Sequence, residues 1–181
     1  MRLLAVLATP PLTSGARTLS RVSLAASILG CDEYVAVNLF PVATQSVLDL
    51  RTLGAVSAPW EAAREPIHSA LMESDLVLLA YGVTKPSGPA GKHFMDQVGW
   101  INAQADELGR PRYDLAGRPA HPSRWQRYTN RLHPSLDFQS AVARLLRPTG
   151  VADSSVTGAN REFRSDSTLA RSARTLRPAS A

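Results

Sequence analysis

The densest chemical stretch of this 181-residue chain is Gly117-Arg118-Pro119-Ala120-His121-Pro122-Ser123-Arg124-Trp125-Gln126-Arg127-Tyr128. A histidine flanked by Pro-Ala and Pro-Ser sits in a turn rather than on an apolar element face. An imidazole with an ordinary pKa of about 6.5 can there face a substrate in either protonation state. Arg118, Arg124 and Arg127 add charge that matches phosphate, and Trp125 and Tyr128 add stacking surface. From Arg110 to Arg131 the chain carries six arginines (Arg110, Arg112, Arg118, Arg124, Arg127 and Arg131) against one acid, Asp114. A solvated basic loop would carry the same charge. The histidine and the interleaved Tyr113, Trp125 and Tyr128 point instead to a nucleotide or nucleic acid.

Other chemistries fail on spacing. Lys85 to Lys92 places glycines and lysines after a strand, but His93 follows Gly91-Lys92 and Pro86 stands where a phosphate loop needs glycine, which excludes that motif. His68, His93 and His133 share no metal-ligand spacing, so no metal or other cofactor is expected. Cys31 follows a helix stop with no histidine close by in sequence, which argues against a nucleophile. Asp75, Asp96, Asp106 and Asp114 lie on different elements, and their separations cannot be read from sequence.

A chain of this length suits one domain with a full core. Its 44% hydrophobic and 19% charged residues are ordinary for a globular protein. The net charge of +5 favours acidic partners. One cysteine excludes a disulfide framework and fits a reducing cytoplasm. No apolar run approaches the roughly 20 residues of a membrane span, and Leu3 to Ala8 is short for a secretion signal.

The elements that must position the histidine follow from periodicity. Leu3 to Leu7 is a continuous apolar run, as in a strand buried on both faces. From Ser14 as N-cap, apolar residues recur at helical spacing until Gly30. Tyr34 to Phe40 reads as a strand that delivers Asn38 near its carboxyl end. Helices are predicted over Thr44 to Leu53 and Pro59 to Ser74, with a kink or restart at Pro66. Asp75 to Tyr81 is the clearest strand and runs into the Tyr81-Gly82 turn. A helix over Lys92 to Leu108, a weak strand over Arg112 to Leu115 and a last helix over Leu136 to Leu146 complete a domain at 1–147. Residues 148–181 read as a disordered basic tail. Alternating strands and helices imply a three-layer α/β/α sandwich around a short, mostly parallel sheet. Ligands of such sheets bind outside the carboxyl ends of the strands. Thr9-Pro10-Pro11, Asn38, the Tyr81-Gly82 loop and His121-Pro122-Ser123 would all reach that edge.

Val37-Asn38-Leu39-Phe40, Ala80-Tyr81-Gly82 and Gly117-Arg118-Pro119-Ala120-His121-Pro122 resemble, in order and spacing, the motifs of a bacterial and phage family known only as a domain of unknown function. The likeness covers Leu4 to Tyr128 and brings no activity with it. The same loops are more distantly similar to the uracil-DNA glycosylase superfamily. That resemblance implies that Asn38 reads a base edge and that His121 stabilises charge on the leaving base. It further implies that Ser123 holds a phosphate or the loop, and that Arg124 or Trp125 wedges into the base stack. The first motif departs from the pattern: Thr9-Pro10-Pro11 stands where the family has Asn-Pro-Ser, so the group that would position water is reduced to the Thr9 hydroxyl. The leading expectation is a uracil-DNA-glycosylase-like protein that recognises a base in DNA or a nucleotide, with cleavage of the N-glycosidic bond as its reaction. A non-catalytic binding module and a phage-related adaptor are the alternatives.

Overall fold

The computed structural model describes residues 1–149. The predicted tail, apart from Pro148 and Thr149, lies outside the described residues. The described elements are β1 (Arg2–Leu7), α1 (Ala16–Ile28), β2 (Glu33–Asn38), α2 (Val47–Leu53), α3 (Ala58–Ala62), α4 (Arg64–Met72), β3 (Leu76–Leu79), α5 (Pro89–Glu107), β4 (Arg112–Leu115), a 3-10 turn at Pro122–Arg124, α6 (Trp125–Leu132), α7 (Phe138–Leu145) and β5 (Leu146–Pro148). Five strands form one sheet in the order β2-β1-β3-β4-β5. The first four are parallel, and β5 runs antiparallel along β4.

Helices cover both faces of this sheet. Leu3, Ala5 and Leu7 of β1 pack with Val22 and Ala25 of α1, Trp125 of α6 and Val142 and Leu145 of α7. Leu4 and Val6, on the opposite face, pack with Trp60, Ile67 and Leu71 of α3 and α4 and with Phe94 and Ile101 of α5. This burial on both sides is why β1 reads as an unbroken apolar run.

Several boundaries differ from the sequence reading for local reasons. The helical segment after Ser57 does break in two, but at Ala63 rather than at Pro66. Pro66 is the third residue of α4, where the backbone N–H has no intrahelical acceptor, so proline costs nothing there. Gly15, not Ser14, is the N-cap of α1, and Ser14 Oγ accepts from the Ala16 N–H at 3.4 Å. The helix expected from Thr44 starts at Val47. Ser46 caps it through a reciprocal capping box with Asp49, which the Ser-x-x-Asp spacing carries. The chain does not leave the sheet at 147: Pro148 pairs with Tyr113, and the Thr149 N–H donates to the Arg112 carbonyl.

The crossing point of the topology lies between β1 and β3, because β2 is added on one side of β1 and all later strands on the other. In an open parallel sheet this is where the loops above the carboxyl edge diverge and leave a crevice.

Candidate functional site

A cleft of about 1010 Å³ opens at that crossing point. Its floor is made by the strand ends: Leu7, Ala8 and Thr9 beyond β1, Asn38 on β2, and Tyr81 and Gly82 beyond β3. The Leu39 and Phe40 amides donate to the Leu7 and Ala8 carbonyls, so the β1–β2 pairing continues past both strands and fixes Asn38 opposite Leu7. Underneath, the buried Gln97 side chain donates to the Trp60 carbonyl at 3.0 Å and to the Leu39 carbonyl at 3.4 Å, and it accepts from Arg64 Nε at 3.1 Å. This fully used amide anchors the exit of β2, and the sequence reading did not single it out.

Asn38 itself is half-buried. Its Oδ1 is enclosed and has no hydrogen-bond partner among the described residues. An enclosed amide oxygen without a partner costs about 1–3 kcal/mol. Thr9 lies at the same edge, its hydroxyl 3.2 Å from that of Thr44, which also borders the cleft. Among the described residues no aspartate or glutamate lines the cleft.

His121 reaches the cleft through a series of backbone devices. After β4 the chain reverses through Ala116 and Gly117, both with positive φ (59° and 73°), and the Leu115 N–H donates to the Arg118 carbonyl. The Gly82 amide then donates to the Pro119 carbonyl at 2.6 Å, joining the exit of β3 to the incoming loop. Gly82 has a φ of 95°, a conformation that a side chain resists. Arg21 of α1 donates to the Pro122 carbonyl and clamps the loop from the other side. Arg21 was absent from the sequence reading, because nothing local connects it to a loop a hundred residues away.

The tautomer of His121 follows from its neighbours. The Ser123 backbone N–H donates to Nδ1 at 3.2 Å, and Ser123 Oγ lies 2.9 Å from the same nitrogen. A backbone amide can only donate, so Nδ1 is an acceptor and the neutral ring carries its hydrogen on Nε2. Burial holds the imidazolium form below its ordinary pKa, and the Arg124 cation adds to that effect. The group offered to the cleft is thus a neutral imidazole with an Nε2–H donor. Ser123 sets this tautomer, and it borders the cleft too.

Trp125 corrects the sequence reading. Its side chain is completely buried, and its Nε1–H donates to the Ala120 carbonyl at 2.8 Å. It ties α6 to the histidine loop and has no surface to offer a base stack. The reason is the helix that follows the turn, which periodicity missed because only Trp125 and Thr129 face inward, while Leu132 is exposed. The outward positions Arg124, Arg127, Tyr128 and Arg131 all border the cleft, as does Arg118, whose guanidinium lies 5.6 Å above the Tyr128 ring. Arg131 is the member the candidate set lacked, and its spacing of seven from Arg124 was the available signal. Among the described residues none of these four arginines has an acidic partner within ion-pair distance.

Asp114, the one acid in the basic stretch, is buried beneath the hairpin rather than in the cleft. Burial raises its pKa, while the Gly117 and Arg118 amides and the Arg118 cation partly offset that rise. Tyr81, which borders the cleft, is pushed up by its own burial and by the Asp114 carboxylate. No group of three or more histidine, cysteine or acidic side chains suited to a metal ion occurs among the described residues. No described helix is long and apolar enough to cross a membrane.

Comparison with protein-family models, with curated proteins and with solved structures found no match to this chain. The site has to be interpreted from its own chemistry.

Proposed function

We propose that this cleft recognises a nucleobase on a phosphate-bearing ligand, in the manner of a uracil-DNA-glycosylase-like pocket. One observation carries the reading: among the described residues, an unpartnered Asn38 amide and a neutral, Nε2-protonated His121 border one cleft with four unpaired arginines and no carboxylate. The Asn38 amide can donate to a base edge through its N–H groups, its Oδ1 being enclosed on the protein side. His121 Nε2–H can donate to a base oxygen, where a fixed donor also stabilises charge developing on a departing base. The arginines suit phosphate.

In the hydrolytic form of this reading, the bond from the sugar carbon to the base nitrogen breaks and its electron pair stays on the base, which His121 stabilises. Water adds to the sugar carbon and loses a proton. Thr9 and Thr44 are among the hydroxyls that border the cleft, and among the described residues no carboxylate there can take the proton. This composition favours the second reading, in which the pocket binds a base without releasing it.

The test measures binding and base release together on uracil-containing and undamaged oligonucleotides. Base recognition requires that Asn38→Ala and His121→Ala weaken base-selective binding. Release by wild type that His121→Ala abolishes identifies an enzyme, and selective binding without release identifies a binding module. No base selectivity in wild type refutes the proposal.

A further inference from the structure

We infer that the ligand of this cleft is a single-stranded polynucleotide whose phosphodiester chain runs along α6, rather than a free nucleotide or a duplex. The inference rests on the base-recognition reading and specifies its substrate class.

The geometry of α6 supplies the track. Arg127, Tyr128 and Arg131 share one face of α6, and Arg124, the capping residue that precedes the helix, stands one turn before them. That face borders the cleft, whereas Trp125 and Thr129 on the other are buried. Seven residues of helix span about 10 Å, or about three nucleotides at the roughly 3.4 Å rise per nucleotide of a stacked strand. The charges start beside the base site, since the Arg124 backbone N–H donates to the His121 carbonyl at 2.9 Å. They then lead two turns away from it to Arg131. A mononucleotide concentrates its charge on one short phosphate tail and leaves the far end of this row empty. The cleft volume of about 1010 Å³ also lies at the upper end of the roughly 300–1,000 Å³ typical of small-molecule pockets.

The same loop presents no large apolar wedge to a duplex, only the exposed Arg124 side chain. A base drawn out of a double helix leaves a gap that an inserted side chain commonly fills, and unstacking it costs a few kcal/mol, less in a single strand. The apolar residues of the histidine loop, Pro122 and Trp125, are both buried. Ser123 and Arg124 are its exposed members. Tyr128, half-exposed and bordering the cleft, packs against the core and carries the Arg118 guanidinium over its ring, so a base can meet that cation and the ring edge without being threaded into a duplex.

The test is fluorescence anisotropy with the full chain, using a labelled 12-nucleotide single strand as DNA and as RNA, the matching DNA duplex, and unlabelled nucleoside triphosphate as competitor, across a salt series. The expected result is tighter binding of the single strands than of the duplex and no competition by triphosphate at concentrations well above those of the strand. Arg127→Ala/Arg131→Ala should reduce the salt slope by about 1.4, at about 0.7 per phosphate contact on a single strand. Arg144→Ala, an exposed change on α7 that does not border the cleft, should leave the slope unaltered. Duplex binding as tight as single-strand binding, triphosphate competition at strand-like concentrations, or an unchanged slope in the double variant overturns the inference. The base reading fails separately: Asn38→Ala then retains full affinity and the same preference among homopolymers while the salt slope persists.

Discussion

Replacing Trp125 by phenylalanine separates a structural tryptophan from a base-stack wedge. The indole is fully buried and its Nε1–H is bonded to the Ala120 carbonyl, next in sequence to His121. Phenylalanine removes that donor and strands a buried carbonyl, which costs about 1–2 kcal/mol. It also removes several ring atoms from a packed site, worth about another 1 kcal/mol. The sum is about 2–3 kcal/mol. With a urea dependence of about 2 kcal/mol per molar for a domain of this size, the unfolding midpoint should fall by about 1–1.5 M. Far-ultraviolet circular dichroism is the suitable probe, because Trp60 and Trp100 also fluoresce. Measured in buffer, where the variant remains folded, strand affinity should stay near that of wild type. A midpoint within about 0.3 M of wild type, together with a large loss of affinity, would refute the assignment and return Trp125 to the binding surface.

Asn38→Ala removes an enclosed oxygen that has no partner, so stability should hold or rise by about 1 kcal/mol while base-selective binding falls; thermal unfolding beside a binding isotherm checks both. Gly82→Ala forces a side chain onto a φ of 95° and should cost about 1–2 kcal/mol, with a shifted His121 ring resonance as the local sign. The pKa of His121 is lowered in the folded state, so the unfolded chain binds the extra proton first. The stability contributed by the neutral ring is therefore complete above the ordinary histidine range and is lost as pH falls through that range to the folded pKa. A ring titration by NMR should show a midpoint below about 6.5, and one at or above it contradicts the burial argument. Asp114 has the opposite sign: its raised pKa means that the folded state holds its proton longer, and its contribution declines as pH rises through the folded pKa. Asp114→Asn should thus gain more stability over wild type at pH 7 than at pH 4, as read by denaturant midpoints.

The first three strands were legible because each is a compact apolar run, and β1 is buried on both faces as such a run implies. β4 was weak in sequence because Arg112-Tyr113-Asp114-Leu115 interrupts the apolar pattern with a carboxylate that is nevertheless buried. β5 was invisible: three residues continue directly from α7, and only pairing with Tyr113 and Leu115 makes them a strand. The cleft was legible in part, since the rule for open sheets brings Thr9, Asn38, Tyr81, Gly82 and His121 to one edge. What periodicity could not supply was α6. Without it Trp125 looked exposed, and Arg131 counted toward the basic stretch but not toward the site. Long-range supports such as Arg21 on the Pro122 carbonyl and Gln97 beneath Leu39 leave no local trace at all.

The most direct measurement follows the side-chain amide of Asn38 and the ring nitrogens of His121 by NMR during titration with a uracil-containing single strand. The account expects both to shift together, with His121 Nδ1 remaining an unprotonated acceptor and Nε2 keeping its hydrogen. Shifts confined to the arginines of α6, or an Nδ1-protonated ring, would contradict it.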